Sequence, residues 1–293
     1  MDRQNRLLSS YSLFEEICSD GFFRANDRAQ IRAKCRRRLD QARDYDIIFL
    51  VIEEISSFCQ QLPSLKSKIF LIVGRSDESF DSRFNFLLAD SRILHIFAQN
   101  CDHSDHEKLT PLPLGFENPG WLYSGNPTND PSLLLASAKE SIGLEKNNVI
   151  LSAFNINTNV TKRSLAMIGL SNALAPVLFY SYPNSHSEDT QRSFYRALAE
   201  SLFVACPHGN GVDSHRIWQS LLMGCIPLTT RNKALEPFQG LGLVFLENWA
   251  ELATLSISDL SKRCSRRTRV PLKELSTQFW AERILHKCLQ LGR

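Results

Sequence analysis

The sequence predicts an α/β protein built from two Rossmann-like units, and three observations carry that expectation. Short runs of β-favouring residues, such as 46–52 and 68–73, are apolar at nearly every position instead of alternating. Strands of that kind are buried on both faces, which means a parallel sheet with helices on either side. Helix-suited stretches separate these runs, the alternation breaks at a turn-rich segment over 118–132, and it then restarts. A length of 293 residues suits two medium domains better than one large core.

Taken in order, residues 28–43 are rich in Arg, Ala and Gln and read as a helix. Strands follow at 46–52 and 68–73, the second ending at a polar stretch, Gly74 to Asp81. A helix is expected around 83–90, then strands at 93–97 and 109–113. In parallel sheets the loops at the carboxyl ends of strands build sites, which puts 74–81 and 98–102 on a functional edge. Beyond the turn-rich connection come a helix at 132–142, a strand at 148–154, a helix at 161–174, a strand at 177–182 and a helix at 190–200. A further strand over 242–246 precedes a helix from about Trp249. Leu272, Leu275, Phe279, Ile284, Leu285, Cys288 and Leu289 mark one face of a long terminal helix. The expected domains are therefore 1–130 and 131–270, with 271–293 packing back on the first. No internal repeat or low-complexity tract is present.

Composition narrows the function classes. Hydrophobic residues make up 43% and charged residues 22%, as in an ordinary globular protein, and a net charge of +3 gives no argument for nucleic acid. Two basic runs, 32–38 and 262–269, read as solvated faces or, alternatively, as contacts to acidic lipid headgroups or a polyanionic acceptor. Eight cysteines form no C-x-x-C pair and no zinc spacing, and Cys206 and Cys225 sit inside apolar runs. These features favour a reducing compartment. With no secretory pattern and no apolar window of about 18 residues, the expectation is a cytoplasmic protein with at most peripheral membrane contact.

The most informative stretch is 201–230, which reads as strand, glycine-rich turn, helix and a strand opened by Ile226-Pro227. The turn Pro207-His208-Gly209-Asn210-Gly211 carries two glycines that can take positive φ and let a ligand approach the backbone. Asp213 or Ser214 is placed to cap a helix running to about Met223 and stopping at Gly224. A helix mouth of this kind offers unpaired N–H groups and a positive dipole end to a phosphate. Ile217, Trp218, Leu221 and Leu222 form the apolar stripe, while His215 and Gln219 lie four apart on another face beside Arg216. Similar turns exist in α/β proteins that bind nothing. His208, His215 and Arg216 gathered at one helix mouth have no such structural purpose.

This stretch resembles the signature of exostosin-type glycosyltransferases, which have a strand ending in Pro-x-Gly, a small polar turn, an Arg, and then Gly-Cys-Ile-Pro. Here these are Pro207-His208-Gly209, Arg216 and Gly224-Cys225-Ile226-Pro227, with Pro237-Phe238 downstream. Earlier segments, 97–102 and 112–117, are similar to the N-terminal half of bacterial and viral relatives. The resemblance spans roughly 70–250 and is dense over 203–238. It implies a GT-B architecture, with two Rossmann-like domains facing across a cleft and a last helix crossing back. It also implies a nucleoside diphosphate sugar held by the C-terminal domain, a glycan or glycolipid acceptor on the N-terminal domain, and no bound divalent metal. On that reading His208, Gly209, Asn210, Gly211, Ser214, His215 and Arg216 hold the diphosphate. One departure stands out: the family commonly has a Glu three residues after the Arg, thought to hold the ribose, and this chain has Gln219. A neutral amide makes weaker contacts to hydroxyls than a carboxylate does. That keeps a second reading open, a GT-B scaffold without turnover that binds a glycan or a partner.

Other candidates are weaker. Asp44-Tyr45-Asp46 has a metal-binding spacing but precedes its strand, and the ligands in 102–106 share one short loop, so no metal site is expected. Asp77, with Glu78 and Asp81 beside it, is the candidate base for an acceptor hydroxyl. Asn155, Asn157, Thr158 and Asn159 follow the first strand of the second half, and Arg163 in the next helix is the expected second phosphate contact. Glu247 follows a strand where an acid could meet the donor.

Overall fold

The structure is a computed structural model that describes residues 7–8, 22–23, 39–103, 105–117, 131–181, 187–265 and 271–292. Residues 28–38 of the helix expected over 28–43, residues 118–130 of the turn-rich stretch, the basic run 32–38 and residues 266–269 of the second run lie outside the described residues, and the described end of that helix is a 3₁₀ turn, Leu39–Gln41. The chain divides into two compact units, Met1–Leu114 with Ser276–Arg293, and Gly115–Leu275.

The first unit carries a five-stranded sheet, β1 (Phe22–Phe23), β2 (Ile47–Val51), β3 (Ile69–Gly74), β4 (Ile93–Ala98) and β5 (Leu109–Pro111). All neighbours are parallel and stand in chain order. β3 is buried at all six positions, the pattern its continuous apolar run calls for. Helices α1 (Ile55–Gln61) and α2 (Asn85–Ala89) supply Phe58 and Leu87 to a core with Leu50, Leu71, Val73 and Ile96. The terminal helix, labelled α8 below, is Thr277–Leu291 and belongs to this unit. It starts later than the apolar pattern implies, because Ser276 caps it through Phe279 N–H, leaving Leu272 and Leu275 in a separate 3₁₀ turn. Its buried face is Trp280, Ala281, Ile284 and Cys288, whereas Leu285 and Leu289 are exposed. Two residues expected on the buried side therefore point outward.

The second unit carries β6 (Asn148–Ser152), β7 (Val177–Phe179), β8 (Ser201–Ala205), β9 (Ile226–Thr230) and β10 (Val244–Leu246), in the spatial order β10-β9-β8-β6-β7. Every pairing is parallel. The chain leaves β6 to one side to form β7, then returns past β6 to build β8, β9 and β10 on the other. α3 (Pro131–Glu140) precedes β6, and the crossovers run through α4 (Val160–Ser171), α5 (Glu188–Ala199) and α6 (His215–Leu222). Each crossover helix opens on a polar side chain that accepts a first-turn N–H: Asn159 from Lys162, Ser187 from Thr190, Ser214 from Arg216. The helix expected from Trp249 is a 3₁₀ turn, Trp249–Ala253, and α7 (Ile257–Arg263) follows with a Ser256–Asp259 capping box. Ile150, Phe203, Ala205, Leu228, Val244 and Leu246 form the sheet's share of the core, covered by Ala166, Leu170, Trp249 and Leu252.

No helix among the described residues is long and apolar enough to cross a membrane. Cys59, Cys101, Cys206, Cys225, Cys264 and Cys288 are free thiols.

Candidate functional site

In parallel α/β sheets a ligand crevice opens at the carboxyl edge where successive connections leave in opposite directions. The second sheet has such a switch point between β6 and β8, whereas the described strands of the first sheet run in simple order. Loops 153–159, 206–214 and 231–235 follow β6, β8 and β9 at this edge.

Side chains stitch the three loops together. Asn159 Nδ2 donates to the Gly209 carbonyl at 2.7 Å, and Arg163 donates through Nε to His208 O at 3.1 Å and through Nη1 to Asn155 O at 2.6 Å. The Asn155 side chain turns back on its own loop, accepting Asn157 N–H at 2.9 Å. A Cβ at position 209 would lie 3.1 Å from Arg163 Nη2, so the glycine serves close approach of the guanidinium. Neither Gly209 nor Gly211 uses the positive φ open to it; Gly224, just past α6, does so at +71°. The turn after β8 needs space at Gly209 and not left-handed backbone.

His208 is fixed by the third loop. Asn232 accepts Leu235 N–H through Oδ1 at 3.0 Å and donates Nδ2 to Thr230 O at 3.2 Å, which sets the direction of its amide. The same Nδ2 lies 3.1 Å from His208 Nε2, with Thr230 Oγ1 at 3.2 Å. A donating amide requires Nε2 to accept, so the neutral ring carries its proton on Nδ1.

The mouth of α6 differs from a bare anion cradle. Asp213 is buried there, and its carboxylate accepts Ser214 N–H at 2.6 Å and Trp218 Nε1–H at 3.0 and 3.1 Å. Ser214 Oγ accepts Arg216 N–H at 3.3 Å, and Ile217 N–H goes to Ser214 O at 2.9 Å. Most of the first-turn amides are thus spent on the chain itself, and a negative charge already sits at the positive end of the helix. Side chains, not backbone, are what this mouth has to offer an anion. Arg216 stacks 4.2 Å over the Phe194 ring and donates Nη1 to Gln219 Oε1 at 2.7 Å. His215 Nδ1 lies 2.8 Å from the Gly115 carbonyl. Cys206, buried at the end of β8, has its thiol pushed up to about 12 by burial, so it serves as packing and not as a nucleophile.

Asn155, Arg163, His208 and Gly209 therefore form one bonded set. Ser214, Arg216 and Gln219 form a second set on α6, beside Asp213. Asn210 is exposed in the same turn, and Gly211 is buried there. Asp77 belongs to the first unit and to neither set; it and Glu78 are exposed in the loop after β3. Asp81 instead caps the 3₁₀ turn Ser82–Phe84, and its hydrogen bond to the Arg83 side chain holds its carboxyl below the usual range. In that loop Gln99 spans Arg75 N–H and Pro113 O, while Asn100 Nδ2 donates to Ser76 O. Glu247 is exposed and pairs with Arg231 at 3.3 Å. Asp44 and Asp46 accept Lys68 and Arg43 N–H groups in the turn before β2, a local role. Among the described residues no group of three metal-binding side chains converges.

Sequence reasoning missed Phe194, Thr230 and Asn232, and read Asp213 only as a cap. The Asp213–Trp218 spacing, five residues across one helix entry, was the available signal.

No family model matches the chain, and no curated protein matches it. Among solved structures the chain is similar to AviGT4, a glycosyltransferase involved in avilamycin A biosynthesis, at 10% identity and a TM-score of 0.43. That similarity covers 96% of this chain and 88% of the other. A likeness of that depth is no guide to activity.

Proposed function

We propose that the protein transfers a sugar from a nucleoside diphosphate sugar to a glycan or glycolipid acceptor, without a metal, in a GT-B arrangement of its two units. One observation carries the reading: the exostosin-like stretch 203–238 spans β8, α6 and β9 and so flanks the switch point of the second sheet. With the α6 amides largely occupied by Asp213 and Ser214, diphosphate binding falls to the side chains of Arg216, His215 and Arg163, with His208, Asn210 and the Gly209–Gly211 backbone beside them. Those cations would stabilise the leaving diphosphate as charge develops on it. Asp77 remains the proposed base of the acceptor side.

The test is nucleotide release from a panel of UDP- and GDP-linked sugars, with and without acceptor glycans. Arg216→Ala is expected to lower turnover by roughly a hundredfold or more, the cost of losing one transition-state donor. Equal turnover in the variant removes Arg216 from the role. A scaffold that binds without turnover is favoured by one feature, the Gln219 oxygen already engaged by Arg216. Calorimetry finding UDP or GDP binding but no release from any donor would select it.

A further inference from the structure

We infer that His215 makes donor binding proton-linked: only its imidazolium form can hold the diphosphate. The inference rests on the donor-site reading above and adds to it the charge state at which the site works. His215 is half-buried in the first turn of α6, and its Nδ1 lies 2.8 Å from the carbonyl oxygen of Gly115. A carbonyl has no proton to give, so Nδ1 must carry one and donate it. In the neutral ring Nε2 is then a bare lone pair. The diphosphate of a nucleotide sugar is ionised and likewise offers only lone pairs. Two acceptors cannot bond, so contact requires a proton on Nε2, and the ring then donates from both nitrogens at once.

The surroundings contain charges of both signs. The charged groups nearest to it in the chain are the buried Asp213, two residues upstream, and the adjacent Arg216. Among the described residues of the segment that supplies Gly115, 112–117, the titratable group is Glu117. His208 does not share the property, since protonating its Nε2 would set it against the donating Nδ2 of Asn232 and break that bond.

The experiment is titration calorimetry of the full chain with UDP-glucose and GDP-mannose from pH 6 to 8.5. It is run in buffers of different ionisation enthalpy, so that proton uptake is read directly. Nucleotide sugars are used instead of UDP because their phosphates do not titrate in this range. Affinity of the unmodified protein is expected to weaken by about tenfold or more from pH 6 to 8, the scale of a hydrogen bond to a charged group. Uptake of up to one proton on binding is expected near pH 8. His215→Gln, whose amide donates at any pH, should bind with a flat profile and no uptake. Binding without proton uptake, or the same uptake in the variant, overturns the role of His215 while leaving the donor site standing. Absence of any nucleotide-sugar binding at millimolar concentration overturns the donor site, and this inference with it.

Discussion

Gly169→Ala is expected to destabilise the protein by about 3 kcal/mol, although alanine is the better helix former by about 1 kcal/mol. Gly169 lies on the buried face of α4, between Ala166 and Leu170, against the 3₁₀ turn at Trp249. A Cβ there would stand 2.3 Å from the Trp249 carbonyl oxygen and 2.6 Å from its carbonyl carbon. Backbone atoms cannot swing aside as a side-chain tip can. The helix or the turn must shift, and the Leu174 N–H bond to Leu252 O at 2.8 Å would shift with them. The steric cost exceeds the gain in propensity, and the melting temperature should fall by roughly 6–12 °C, given about 2–4 °C per kcal/mol for a unit of this size. Gly240→Ala is the control, because nothing lies within 4 Å of its Cβ position. It should move stability by no more than about 0.5 kcal/mol. An unchanged melting temperature in Gly169→Ala would contradict the close α4 contact.

Acid should weaken the first unit through His95. That ring lies on β4 and is 1% exposed, with Nε2 2.8 Å from Thr110 Oγ1 and no hydrogen-bond partner for Nδ1. Burial, reinforced by the positive charges of Lys287 on α8, Lys108 and His106, lowers its pKa to about 4. In the unfolded chain an imidazole titrates near about 6.5. Between those values the unfolded state binds the extra proton, so stability is full above the unfolded value and is lost as pH falls towards 4. At about 1.4 kcal/mol per unit the loss approaches roughly 3 kcal/mol. Urea midpoints at pH 7 and 4.5 measure it. His95→Gln, which retains a donor for Thr110, should be less sensitive to that change than the unmodified protein. Carboxylates such as Asp90, held low by Arg92, contribute equally to both proteins and cancel. Equal pH sensitivity in the two would contradict the buried neutral ring.

The inner strands of the first sheet were legible because they are buried on both faces, unlike the edge strands β5 and β7. β3, apolar at all six positions, has no competing helical period; β2 is apolar throughout as well, and β4 is so apart from His95. The end of α6 was legible because Gly224 takes the left-handed conformation that closes a helix. What failed to show were short elements with weak periods. α1 spans seven residues, Ile55–Gln61, wedged between two 3₁₀ turns, and α7 hides within a polar stretch where only its Ser256–Asp259 box marks the start. The spatial order of the second sheet, which locates the switch point, is a tertiary property that periodicity does not encode. At the site, residue types signalled charge but not direction. Asp213 reads as a cap, yet it turns inward to Trp218, and Arg216 reads as an exposed donor, yet it lies on Phe194 from another helix. Side chains whose partners come from distant loops, such as His208 with Asn232, leave no mark at short range.

The central claim is that a nucleotide sugar binds at the carboxyl edge between β6 and β8. Amide hydrogen exchange with and without a saturating nucleotide sugar tests it most directly. Slowed exchange across 153–163 and 206–219, with residues 224–226 at the opposite edge unchanged, is the result this account predicts. Protection confined to that opposite edge or to the first unit, with 206–219 unaffected, would contradict it.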